Sequence, residues 1–135
     1  MTAASAVIDA SVFVRSIVAS STQAREWLEA IEEEELDAHA PELVYVELAS
    51  SLLKYVRART LDAGDAVHAL NTVVQLPLRL HRLGELAPGA LSLAVESGLS
   101  AYDSCYAVLA RSLDAELVTA DSRLAAAVPN ATLIV

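Results

Sequence analysis

At 135 residues the chain has the size of one ordinary domain, and with 55 % hydrophobic residues it can bury a substantial core. Charged and polar residues recur too often for a run of ~18 apolar residues to span a bilayer, and the start MTAASAVIDASVF, with an Asp inside its apolar run and no basic region before it, does not read as a signal peptide. Nine basic residues against eighteen acidic ones leave a formal charge of −9, which argues against a broadly basic nucleic-acid surface, while the lone Cys105 excludes an internal disulfide and agrees with a reducing, cytoplasmic setting.

Taken in chain order, Ala6 to Ile8 is a short apolar run that predicts a strand leading into Asp9, and Val12 to Val18 continues as a helix. Ala24, Trp27, Leu28 and Ile31 follow the i, i+3, i+4, i+7 pattern of one buried helix face, with Ser21 or Thr22 as N-cap. The acidic excess is concentrated here, at Glu26, Glu29, Glu32, Glu33, Glu34, Glu35 and Asp37, a run that reads either as a solvated helix end or as a docking surface for a basic partner. Leu36 to Ala40 predicts a second strand, and Pro41 the first turn of a helix running to about Arg59 with Val44, Leu48, Leu52 and Tyr55 on its apolar stripe. A further helix after Asp62 turns Ala63, Ala66, Val67, Leu70 and Val74 inward.

Pro77 to Leu83 alternates apolar and polar residues behind a proline, the pattern of an edge strand. Two helices, Ala87 to Ser97 and Ala101 to Leu113, are separated by Gly98 as a stop. Glu116 to Thr119 and Thr132 to Val135 predict the last strands, with a short helix from Ser122 to Val128 between them. Without a linker, repeat or low-complexity tract, this order predicts one domain over residues 1–135: an α/β fold, a three-layer sandwich with a five-stranded parallel sheet.

In such a sheet the ligand crevice lies at the carboxyl ends of the strands. Asp9 and Asp121 each stand where a strand gives way to a helix, Asp103 lies in the first turn of its helix, and Glu47 follows the second strand. Singly, each has an ordinary explanation: helix caps or turn formers for Asp9 and Asp121, a capping box Ser100-Ala-Tyr-Asp103, a solvated helical glutamate at Glu47. Jointly they fall on one rim, where clustered carboxylates raise one another's pKa and favour a hard divalent cation such as Mg²⁺ or Mn²⁺. His39, His68 and His81 are far apart in sequence and none adjoins these acids at a metal-like spacing. Cys105 shares a helix face with Ala101, Val108 and Leu109, as a packing residue would. No G-x-S-x-G elbow, Walker A loop or G-x-G-x-x-G fingerprint is present.

VIDASVFV around Asp9, PELVYVELASSL around Glu47, SAYDSCYAVLAR around Asp103 and LVTADSRL around Asp121 resemble the PIN-domain ribonucleases, especially VapC-like toxins of toxin–antitoxin pairs. The similarity runs along essentially the whole chain. It implies a Mg²⁺- or Mn²⁺-dependent endoribonuclease acting on RNA, frequent homodimerisation and inhibition by a small antitoxin. By position it assigns Asp9, Glu47, Asp103 and Asp121 to the catalytic, metal-holding quartet and Ser11 and Thr119 to supporting hydroxyls. Ser11 has helix-start capping and Thr119 strand propensity as ordinary alternatives. Arg15, Lys54 and Arg123 are candidate RNA-phosphate contacts in a chain short of basic residues, plain surface charge being the alternative.

Two other functions fit the same acids. One is another metal-dependent phosphohydrolase, although Asp9 lacks a second acid two residues on and no lysine follows the later strands as a phospho-acceptor domain requires. The other is a non-catalytic acidic binding module in which the acids are caps.

Overall fold

The computed structural model describes residues 4–135; Met1–Ala3, the opening of the segment weighed above as a leader, lie outside the described residues. Five strands, β1 (Ser5–Ile8), β2 (Asp37–Pro41), β3 (Arg79–His81), β4 (Glu116–Thr119) and β5 (Ala131–Leu133), form one sheet in the order β3-β2-β1-β4-β5. Every pairing is parallel. The helices are α1 (Ala10–Val18), α2 (Thr22–Glu32), α3 (Val44–Arg57), α4 (Ala63–Val74), α5 (Leu83–Ser97), α6 (Ala101–Leu113) and α7 (Ser122–Ala126).

Alternation along the central strands divides the core in two. Ala6, Ile8, Ala38, Ala40 and Val118 face α1 to α4, where Phe13, Ile31, Val44 and Leu48 pack. Val7 and Leu117 face the other way, onto Leu86, Ala90, Tyr106, Leu109 and Leu124 from α5, α6 and α7. Central strands apolar on both faces are what a doubly covered parallel sheet requires. The expected α/β sandwich is the one observed.

Several expected boundaries move, each for a local reason. Pro41 ends β2 instead of opening α3: β1 pairs only as far as His39, so the proline's missing N–H costs the central ladder nothing, and Pro41 pairs His81 of the edge strand alone. The Glu42 N–H still donates to His81 O at 2.9 Å, which keeps the chain bonded to the edge strand and delays the helix to Val44. α5 begins at Leu83, ahead of the expected Ala87, and carries Pro88 inside it. Gly89 lies where an added Cβ would stand 3.2 Å from the Val108 side chain, so its bareness lets α5 close on α6. Gly98 is the C-cap of α5 with φ +76°, a left-handed conformation suited to glycine.

Several inward assignments need correction. On α4, Ala66 and Val73 are buried, but Ala63 is exposed and Val67 and Val74 are 62 % and 43 % exposed. The helix packs on α3 along one narrow stripe, which leaves its remaining apolar residues beside an open groove with Leu52, Leu53 and Val56. Tyr55 likewise leaves the α3 stripe, being 38 % exposed at the mouth of a different pocket.

Candidate metal centre

The order of the strands places this second pocket. The chain runs from β1 outward to β2 and β3 and then returns to the other side of β1 for β4 and β5, so the connections diverge between β1 and β4. At the carboxyl ends of those two strands lies a pocket of about 390 Å³ lined by all four expected acids, Asp9, Glu47, Asp103 and Asp121, with Ser11, Arg15, Ser51 and Tyr55.

Asp9 stands at the N-cap position of α1 without a side-chain capping bond, and although the nearby Ser11 N–H favours its ionised form, its carboxylate is held chiefly by side-chain hydroxyls. Its carboxylate is 7 % exposed and takes two hydroxyl donors on one oxygen: Ser11 Oγ at 2.5 Å and Thr119 Oγ1 at 2.8 Å from Oδ2. Each hydroxyl is in turn fed by a backbone amide beyond β4, Ala120 N–H to Ser11 Oγ at 2.9 Å and Asp121 N–H to Thr119 Oγ1 at 3.0 Å. Donor chains of this kind polarise one another, so Oδ2 is held firmly and Oδ1 is left for the pocket. Burial nevertheless pushes the Asp9 pKa up, with Asp103 adding repulsion against the two hydroxyl bonds.

Glu47 comes from the first turn of α3, and burial followed by the charges of Asp9 and Asp103 raises its pKa to about 7, against the lowering effect of a bond from Tyr106. Asp103 is raised by burial first and then by Asp121. Its backbone N–H is capped by Ser100 Oγ at 3.0 Å, so the capping box is formed on that side while the carboxylate still lines the pocket. Asp121 does act as a cap: Oδ1 accepts from Arg123 N–H at 2.9 Å and Leu124 N–H at 3.4 Å. Among the described residues, none of the four acids is ion-paired; the two pairs found are Arg79 and His39 with Asp37.

Of the basic candidates, Arg15 lines the pocket. Arg123 stands near enough to favour ionised Asp103, but its guanidinium bonds Gly98 O at 3.3 Å. Lys54 is exposed on α3 and is not brought to the pocket. Two features escape sequence reasoning. Tyr106 is completely buried, yet its hydroxyl donates to Glu47 Oε1 at 2.6 Å; its signal is a phenol three residues after Asp103 on an otherwise apolar helix face. His39 and His81 meet ring to ring at 2.8 Å, with His39 also bonded to Asp37 at 3.0 Å, a juxtaposition that register between β2 and β3 alone creates.

The raised carboxylates make stability depend on pH. The folded protein holds the Glu47 proton up to about 7, whereas an ordinary glutamate carboxyl loses it at 4.5. Glu47 therefore contributes its stability below the lower value and loses it as pH rises toward the upper one. His81 has the opposite sign, since burial and then His39 lower its pKa. Thermal melts in EDTA from pH 5 to pH 8 are expected to show a steeper fall in Tm for the wild type than for Glu47→Gln, and excess Mn²⁺ is expected to abolish the difference. Parallel pH profiles for the two proteins in EDTA would contradict this.

Comparison with known proteins agrees with the fold. Residues 6–128 match the PIN domain family. Ribonuclease VapC9 of Mycobacterium tuberculosis is 36 % identical over 118 residues, covering 87 % of each chain. The crystal structure of PAE2754 from Pyrobaculum aerophilum superposes with a TM-score of 0.73 at 26 % identity, over 96 % of this chain and 88 % of that one. A toxin–antitoxin complex from Klebsiella pneumoniae shares the fold, with a TM-score of 0.61 at 17 % identity over 94 % of this chain and 95 % of that one.

Proposed function

Because the chain belongs to the PIN-domain family, we propose that it is an endoribonuclease of the VapC type, a divalent-metal-dependent hydrolase of RNA phosphodiester bonds and the toxin of a toxin–antitoxin pair. The observation that carries this reading is the convergence of Asp9, Glu47, Asp103 and Asp121 on one pocket with no cationic side chain paired to them among the described residues. The donor set is all oxygen, as Mg²⁺ or Mn²⁺ prefers. Among the described residues no three Asp, Glu, His or Cys side chains form a ready direct cage. Mg²⁺ commonly uses one or two carboxylates and keeps several waters, so a pocket with room for water suits it.

A bound divalent ion would supply a water of lowered pKa and offset charge on the phosphate under attack. The chain's own groups do the rest. Ser11 and Thr119 hold Asp9 in one orientation. Glu47, on the pocket wall, would offer the ion a further carboxylate oxygen, and a cation there would favour its ionised form against the repulsion of Asp9 and Asp103. Arg15 offers a phosphate contact on the pocket wall, which partly answers how an acidic protein engages RNA.

An antitoxin partner is supported by the apolar groove between α3 and α4, and a homodimer by exposed Leu91, Val95 and Tyr102 on α5 and α6. The exposed run Glu32 to Glu35 suits a basic segment of such a partner. No described helix is long and apolar enough to cross a membrane, and a cytoplasmic location follows from the proposed RNA substrate.

The test is cleavage of a panel of cellular RNAs by purified protein with Mn²⁺, with Mg²⁺ and with EDTA. Metal-dependent fragments lost in EDTA are expected. Full cleavage in EDTA would overturn the reading. Turnover of a small phosphate ester without RNA cleavage would favour the other phosphohydrolase, and calorimetry showing no Mg²⁺ or Mn²⁺ uptake would favour the binding module.

A further inference from the structure

Glu47 and Tyr106 belong to opposite helical layers. Glu47 extends from α3, which packs on the face of the sheet bearing Ile8 and Ala40; Tyr106 belongs to α6, which packs on the face bearing Val7 and Leu117. Their bond of 2.6 Å therefore passes over the end of the sheet and ties the two layers together beside the pocket. The backbone N–H of Ala10, the residue after Asp9, stands near enough to the phenol oxygen to favour its ionised form. One buried hydroxyl is thus bonded to Glu47 and lies beside the segment that carries Asp9.

A phenol this deeply buried needs a hydrogen-bond partner, but a backbone carbonyl would serve stability as well. What a carboxylate partner adds is orientation. A glutamate side chain on a helix has three rotatable bonds, and the neighbouring acids repel it; a donor fixed on Oε1 selects one rotamer and leaves Oε2 for the pocket.

We propose that Tyr106 is a positioning residue for Glu47, its hydroxyl fixing one carboxylate oxygen so that the other is committed to the metal pocket. This rests on the reading of Glu47 as a metal-holding group. Residues that orient metal ligands in this way are typically worth about 10–100-fold in metal affinity or activity. Tyr106→Phe keeps the ring that fills the α6 core and removes the hydroxyl alone, and the Glu47→Gln background separates an effect through Glu47 from one through the neighbouring Asp9 segment.

The experiment is Mn²⁺ titration of the full chain, followed by calorimetry or by loss of the free-ion electron paramagnetic resonance signal, in wild type, Tyr106→Phe, Glu47→Gln and the double variant. The expected result is about tenfold or more weaker Mn²⁺ binding in Tyr106→Phe than in wild type, and the same affinity for the double variant as for Glu47→Gln. Equal affinity of Tyr106→Phe and wild type would overturn the proposal, as would an equal loss in the Glu47→Gln background, which marks a merely structural role. Wild-type protein that takes up no Mn²⁺ would remove the metal reading itself, and this proposal with it. If Tyr106→Phe fails to fold, wild-type protein labelled with ¹³C at the tyrosine ring carbon bearing the hydroxyl gives the answer. The Tyr106 resonance is expected to shift on Mg²⁺ addition with the midpoint of binding, and a resonance indifferent to saturating Mg²⁺ would overturn the proposal.

Discussion

Asp9→Asn is expected to lower kcat/KM for RNA by about 1,000-fold or more, roughly 4 kcal/mol of transition-state stabilisation, while the protein melts at or above the wild-type temperature. The two halves of that result have one cause. Burial penalises the ionised carboxylate of Asp9, and a neutral amide removes the penalty. The amide oxygen can still accept from Ser11 and Thr119, which both address Oδ2, so the local network survives. What is lost is the negative charge that a cation requires. Initial rates on a defined RNA with saturating Mn²⁺, set beside a thermal melt in EDTA, check both. Asp9→Asn retaining a tenth of wild-type activity would remove Asp9 from the catalytic set, and a large fall in its Tm would show that the charge serves the fold.

Phe13→Ala is expected to do the reverse. Phe13 lies on α1, four residues beyond Asp9, and is fully buried against the sheet among Ile31, Val44 and Leu48. Truncating a buried phenylalanine costs about 3–5 kcal/mol through lost transfer energy and an unfilled cavity, a large share of the roughly 5–15 kcal/mol that holds an ordinary domain together. For a domain of this size that is a fall in Tm of roughly 10–15 °C. Below its melting transition, Phe13→Ala is expected to cleave RNA within about tenfold of wild type, because the hydroxyl-clamped carboxylate belongs to β1, Ser11 and β4 and not to the distal face of α1. Urea denaturation measures the first effect. A loss under 1 kcal/mol would mean that the α1 to α4 side of the core repacks freely.

The acids were readable from the sequence because strand ends carry their own markers: Asp9 after Ala6 to Ile8, Asp121 after Glu116 to Thr119. Once a parallel sheet is inferred, those positions share a rim. The Ser11 and Thr119 positions came from the family pattern, and the structure gives them their geometry as a pair of donors on one oxygen. Less was readable where the physics is non-local. Nothing near Tyr55 reveals that α3 turns it to the pocket mouth, nor near Val67 that α4 rests mainly on α3. Pro41 misled for a related reason, since proline is tolerated both at a helix start and wherever its missing N–H has no partner to disappoint. Tyr106 and the His39–His81 pair emerge only when elements distant in the chain are brought together.

The bond between Thr119 and Asp9 spans almost the whole sequence, and this has a bearing on synthesis. A polypeptide growing from its N-terminus presents Asp9 early, but the group that orients it, and the neighbouring carboxylate of Asp121, emerge only with β4 and the turn after it. Until then β1 lacks its partner on that side and the pocket has three walls. Under the proposed function, hydrolytic competence is expected only in one late step of synthesis, when the returning strand docks beside β1.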